Sequence, residues 1–203
     1  MNLDSPEQFP HLLPSSFLFF TLYSSVVSSL RSIQLLPYHS HLFLTATANM
    51  DAVKRFFSSP RFAVAGASND SNKFGYKILA WYHQHSLPVT PLNPRAPQIV
   101  LPSRAYDTVA SPGALPAPSQ ISLSVVTPPA VTLPLLKEAH SVGIPAVWLQ
   151  PGTFDDAVLD FAHKHFSAVI AGDGGAGSEG WCVLVDGEEG LEAAGVQWTS
   201  QKL

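Results

Sequence analysis

The sequence predicts an α/β fold, a single domain whose mostly parallel five-stranded sheet carries helices on both faces. Three observations predict it. From Arg61 onward short apolar runs alternate with stretches of helical periodicity, glycine or proline punctuates the junctions, and no segment repeats.

The first apolar run, Phe62-Ala63-Val64-Ala65, ends at Gly66 and reads as a buried strand entering a turn. Gly75 to His85 then sets Ile78, Leu79 and Tyr82 at helical spacing, and Pro88 to Leu92 reads as a second strand with prolines at its margins. Residues 94–120 are proline-rich, so they read as a long irregular crossover with room for one short helical stretch around Arg104 to Val109. Ile121 to Val126 is the third strand, and Pro129 opens a helix through Ala139, proline being tolerated in a first turn. Ala146 to Leu149 is the fourth strand. Thr153 is expected to cap a helix on which Phe154, Val158 and Phe161 share a face, and Ala168 to Ile170 is the fifth strand. This order is that of a Rossmann-like domain, whose ligands occupy the crevice beyond the carboxyl ends of the strands.

The totals narrow the function classes. A chain of 203 residues with net charge -4 exerts no general pull on nucleic acid or anionic lipid, so a nucleic-acid partner is not expected. Its single cysteine, Cys182, rules out an internal disulfide and any multi-cysteine zinc site, which favours a cytoplasmic setting. Residues 1–49 differ from the rest: Arg31 is their only basic residue, Asp4 and Glu7 their only acids, and their apolar runs are broken by serines, Pro14 and Pro37. No membrane span is expected of them. They read as a targeting-like, disordered or spurious extension ahead of Met50, and a mitochondrial address is the alternative localisation if they form a presequence.

Candidate binding residues cluster at the strand ends. In the loop from Gly66 to Gly75, the glycine at the strand exit lets the backbone N–H groups of Gly66, Ala67 and Ser68 approach a phosphate. The helix behind adds its positive end, Lys73 a full charge, Ser68 a hydroxyl. A dinucleotide-binding G-x-G-x-x-G is absent, since Ser68 stands at the second glycine position, and no acid closes the second strand to hold the diol of NAD. Asn93-Pro94-Arg95 stands there, and Arg95 suits a ribose phosphate, whether the 3'-phosphate of coenzyme A or the 2'-phosphate of NADP. Thr127-Pro128-Pro129 makes a rigid, carbonyl-rich apolar lip, and Gln150 and Gly152 lie on the same rim.

Taken in order, Val64-Ala65-Gly66-Ala67-Ser68, Lys73-Phe74-Gly75-Tyr76-Lys77, Pro91-Leu92-Asn93-Pro94-Arg95, Thr127-Pro128-Pro129 and Ala146-Val147-Trp148-Leu149-Gln150 resemble the stand-alone coenzyme A-binding domain family. That family is related to the nucleotide-binding domain of the succinyl-CoA synthetase α subunit, and the resemblance spans residues 53–186. It implies a coenzyme A site formed by the first glycine loop, Phe74 included, with the Asn-Pro-Arg edge and the proline turn. The phosphorylated histidine of the synthetase belongs to a separate downstream domain without counterpart here, so ligase activity is not implied. The glycine-rich stretch from Ala171 to Gly180 departs from the family pattern and reads as an anion nest, a lid or a flexible connection.

Dedicated catalytic machinery does not stand out. His83 and His85, like His163 and His165, sit two apart on helices and are expected at the surface. Cys182 reads more readily as an inert thiol than as a reactive one. The sequence therefore predicts a module that binds coenzyme A or an acyl-CoA, compatible with a homodimer. The alternatives are an NADP-dependent oxidoreductase of the same architecture and a regulatory subunit with a vestigial pocket.

Overall fold

The computed structural model describes residues 50–172, 175–177 and 180–203; the extension read over residues 1–49 lies outside them. Helix α1 (residues 50–57) leads into β1 (Arg61–Ala65), followed by α2 (Phe74–Gln84) and β2 (Val89–Leu92). A hairpin, β3 (Gln98–Leu101) and β4 (Arg104–Asp107), precedes β5 (Ile121–Val125). Then come α3 (Pro129–Ser141), β6 (Ala146–Leu149), α4 (Asp156–His165), β7 (Ala168–Ile170) and α5 (Val183–Ala193).

The main sheet runs β2-β1-β5-β6-β7, and every pairing in it is parallel. The chain builds outward from β1 first to β2 and then, through β5, to the other side. Strand order therefore reverses between β1 and β5, where ligand crevices open in such sheets.

Strand alternation sorts the core onto two faces. Phe62, Val64, Trp148 and Ile170 pack against α1, α2 and α5 in a layer rich in rings: Phe56, Phe57, Trp81, Tyr82 and Trp181. Ala63, Ala65, Leu123, Val125, Val147 and Leu149 face α3 and α4 through Leu136, Ala139, Val158 and Ala162. On β5 the ring-rich face receives two fully buried serines. The Ser122 hydroxyl donates to the Phe56 carbonyl at 2.8 Å, and Ser124 lies 2.8 Å from the Tyr82 hydroxyl, so each buried oxygen keeps a partner.

Four expectations are corrected. The stretch read as an irregular crossover holds the β3–β4 hairpin, with Ile99 opposite Tyr106 and Leu101 opposite Arg104. Residues 104–107 are strand rather than helix because Tyr106 joins Ile99 and Leu101 in burial at a period of two, with Pro102 and Ser103 in the turn. Helix α4 is capped by Asp155, whose carboxylate accepts the Val158 N–H at 2.9 Å, while Thr153 spends its hydroxyl on the Gln150 carbonyl. His83 and His85 are buried, not exposed, because the hairpin and the C-terminal tail cover the end of α2. Helices α1 and α5 were not anticipated. Among the described residues no helix is long and apolar enough to cross a membrane.

Two glycines let α5 lie close on the core. A Cβ at Gly187 would come within 2.3 Å of the Trp81 ring, and one at Gly190 within 2.6 Å of Phe57 and Val53. Alanine would ordinarily add about 1 kcal/mol in a helix interior. Overpacking of roughly 1–3 kcal/mol wins here, so Gly187→Ala should lower the urea midpoint. A rise in midpoint would show that the helix can retreat. Burial also pushes the Tyr82 phenol well above its ordinary 10.0, the Ser124 bond opposing only in part. The folded state keeps a proton that the unfolded chain releases, so stability should fall above pH 10, by at most about 1.4 kcal/mol per pH unit for this group. Tyr82→Phe should flatten that slope in denaturant titrations.

Candidate functional site

The carboxyl ends of β1, β5 and β6 enclose, with the starts of α2 and α5, a cavity of about 590 Å³. Its floor is the turn after β1. Gly66 has φ +89, and its N–H donates to the Leu92 carbonyl of β2 at 3.2 Å. A Cβ at Gly75 would stand 2.0 Å from the Gly66 carbonyl oxygen, so α2 approaches β1 as closely as it does only because Gly75 has no side chain. The loop between them is ordered by its own side chains: Ser68 accepts the Asp70 N–H, and Asp70 accepts the Asn72 N–H.

Eight of the sequence-predicted residues line the cavity: Gly66, Lys73, Phe74, Gly75, Thr127, Pro128, Gln150 and Gly152. Lys73 is its one cation among the described residues, and no carboxylate lines it. Phe74, 55% exposed, stands at the mouth with the Lys77 ammonium 5.4 Å from its ring centroid. Six predicted residues do not line it. Ala67 is buried, Ser68 half-buried within the loop, and Pro129 opens α3. Asn93 works as a clamp: its amide donates to the Ala67 carbonyl at 2.8 Å, and its oxygen accepts the N–H groups of Arg95 and Ala96. Pro94 and Arg95 are exposed on the adjoining edge. The clamp thus holds Arg95 beside the glycine turn rather than inside the cavity.

Gln150 is 2% exposed. The Val183 N–H donates to its Oε1 at 3.0 Å, which fixes the orientation of the amide, and its buried Nε2 has no acceptor among the described residues. A buried donor without a partner costs about 1–3 kcal/mol, so a ligand acceptor there would be favoured.

The far wall was not assigned to the site from the sequence: Gly177 and Gly180 of the glycine-rich stretch, with Cys182, Leu184 and Val185, close the cavity. Its described part is pinned, not a free connection. The buried Asp186 carboxylate accepts the Ala176 N–H at 2.6 Å and the Cys182 N–H at 2.7 Å, and the Trp148 indole donates to the Trp181 carbonyl. Residues 173, 174, 178 and 179 of the same stretch lie outside the described residues. The apolar run Cys182-Val183-Leu184-Val185 after the glycines was the available signal. Among the described residues no group of three or more histidine, cysteine or acidic side chains could hold a metal ion.

The sequence profile of a family described as CoA binding domain matches residues 60–175, which hold the glycine turn, the Asn93 clamp and the rim of the cavity. The chain belongs to that family. Two solved structures share the architecture of this CoA binding domain. A hypothetical protein from Pyrococcus horikoshii superposes with a TM-score of 0.59 at 17% identity, over 70% of this chain and 92% of that one. A protein from Thermus thermophilus gives 0.52 at 23% identity, over 61% and 90%. A conserved hypothetical protein from Pyrococcus furiosus is 28% identical over 54% of this chain and 90% of its own, with a TM-score of 0.49. A comparison with curated proteins found no match.

The Asp186 anchor is open to test. Asp186→Ala removes the acceptor of two N–H groups, at about 1–3 kcal/mol for each one left unsatisfied. Hydrogen exchange at the Ala176 and Cys182 amides should accelerate more than exchange in β1 and β5. Equal acceleration throughout would mean that Asp186 supports the whole fold and not this wall.

Proposed function

We propose that this CoA binding domain holds coenzyme A or an acyl-CoA in the cavity at the end of β1. The observation that carries the reading is the coincidence of the family match with a cavity at the switch point of the sheet. Three features fit the ligand. The Gly66–Gly75 turn and the start of α2 would hold the diphosphate, with Lys73 supplying the opposite charge. The unpaired Gln150 Nε2 suits an amide carbonyl of the pantetheine arm, which would run along Ile78, Val126 and Leu184. Arg95, held beside the turn by Asn93, would meet the 3'-phosphate.

The inferred role is binding of coenzyme A or its thioester. Among the described residues the cavity lining includes no carboxylate and no imidazole to serve as a general base, and its thiol is that of Cys182. NADP is the second reading, because Arg95 would serve a 2'-phosphate equally well.

Thermal unfolding with coenzyme A, dephospho-coenzyme A, NADP and NAD tests the proposal. Coenzyme A at 100 times its dissociation constant should add about 2.7 kcal/mol of stability. Arg95→Ala should weaken coenzyme A by roughly tenfold and leave dephospho-coenzyme A unchanged. Stabilisation by NADP alone would overturn the reading in favour of a reductase, and silence from all four ligands would point to a vestigial pocket.

A further inference from the structure

A second cavity, of about 400 Å³, opens at the other end of the sheet. Its wall takes in Arg61, the first residue of β1, Val89 and Thr90 at the start of β2, and Arg104 and Tyr106 of β4. Two arginines line this cavity, and none of its lining residues carries a carboxylate. Among the described residues the ion pairs are Lys54 with Asp51 and His85 with Glu188, so neither Arg61 nor Arg104 is neutralised by an acid.

The surroundings are built rather than incidental. The Arg104 guanidinium stands 4.7 Å from the Tyr106 ring centroid, and Tyr106 is almost fully buried. Its hydroxyl lies 2.7 Å from His83 Nδ1, while His83 Nε2 lies 3.0 Å from the Lys202 carbonyl oxygen. A carbonyl only accepts, so Nε2 donates to it, and the Ser103 hydroxyl stands 2.9 Å from the same nitrogen. Ser86 takes a left-handed backbone, φ +55, and its hydroxyl donates to the Thr199 carbonyl. The Gln201 N–H donates to the Gln84 carbonyl, which seats Gln201 on the cavity. The C-terminal end of α2 brings about half a negative charge to this region, well short of the two full positive ones.

We propose that this cavity is a binding site for a small oxyanion, inorganic phosphate or the phosphate group of a monoester, held between Arg61 and Arg104 with the hydroxyl of Thr90 available as a donor. Two like charges around one cavity repel until an anion lies between them, and planar guanidinium forks match the oxygens of a phosphate. The site is separate from the cavity at the end of β1 and shares no lining residue with it.

Titration of the nitrogen-labelled full chain with inorganic phosphate, followed by amide shifts, tests the assignment. Saturable shifts are expected at Leu87, Val89, Thr90, Arg104 and Tyr106. Arg61→Gln and Arg104→Gln should each weaken the binding by roughly tenfold or more, while Lys73→Gln leaves it unchanged. Shifts confined to Gly66, Ala67 and Gly75, the absence of saturation, or undiminished affinity in either folded arginine variant would overturn it. Should a variant not fold, the wild-type shift map decides by itself. A separate phosphate-monoester titration tells whether the free ion or the ester binds more tightly. Failure of coenzyme A to bind would leave this result standing.

Discussion

The contact between Gly75 and the carbonyl of Gly66 is the constraint on which the rest of the structure turns. It brings the start of a helix against the end of the central strand, where no Cβ could be accommodated. The partial positive charge of α2 is thereby directed over the point where strand order reverses, and the neighbouring turns are organised around it. Asn93 ties β2 to this turn through Ala67, and Asn69 ties the hairpin to it, donating to the Gln98 carbonyl and accepting the Val100 N–H. Both asparagines use side chains to satisfy backbone groups that a strand ladder would otherwise have served.

The two faces of the sheet are stabilised differently. Toward α1, α2 and α5 the layer is thick with rings, several meeting edge to face, such as Phe56 with Phe57 and with Trp148. Small side chains compensate for that bulk, serine on β5 and glycine on α5. Toward α3 and α4 the packing is aliphatic, with alanines on β1 keeping the layer thin. The single strand β5 serves both environments by alternating branched aliphatics with hydroxyls that find partners in α1 and α2.

Much of this is legible in the amino-acid sequence. The five strands of the main sheet and the helices between them follow from runs of apolar residues and their punctuation, and the glycine turn follows from Gly66 and Gly75 bracketing a polar loop. The hairpin was hidden because prolines flank a two-residue periodicity only four residues long on each strand. Helix α5 was hidden because Asp186, Gly187 and Gly190 interrupt its apolar face, and the role of the two glycines depends on Trp81 and Phe57 lying opposite. At the site, Gln150 was recognised by its place after a strand. That its amide is fixed by Val183 and left with a spare donor is a tertiary fact, as is the part of the wall beyond Gly152. Asn93 was read as part of a ligand edge; that its side chain also ties together Ala67, Arg95 and Ala96 is a tertiary fact.

The manner in which Asp186 holds the wall carries a consequence for how this region tolerates change. Its two oxygens grip main-chain N–H groups, which every residue but proline offers, so the side chains at Ala176 and Cys182 are not what the anchor reads. Gly175 is the exception, since a Cβ there would press within 2.7 Å of the same carboxylate. The described part of the loop is thus specified by its reach, by that missing methyl group and by the left-handed backbone at Gly172 (φ +74) and Gly180 (φ +89), leaving the other side chains displayed toward the cavity free to diverge while the enclosure stays intact.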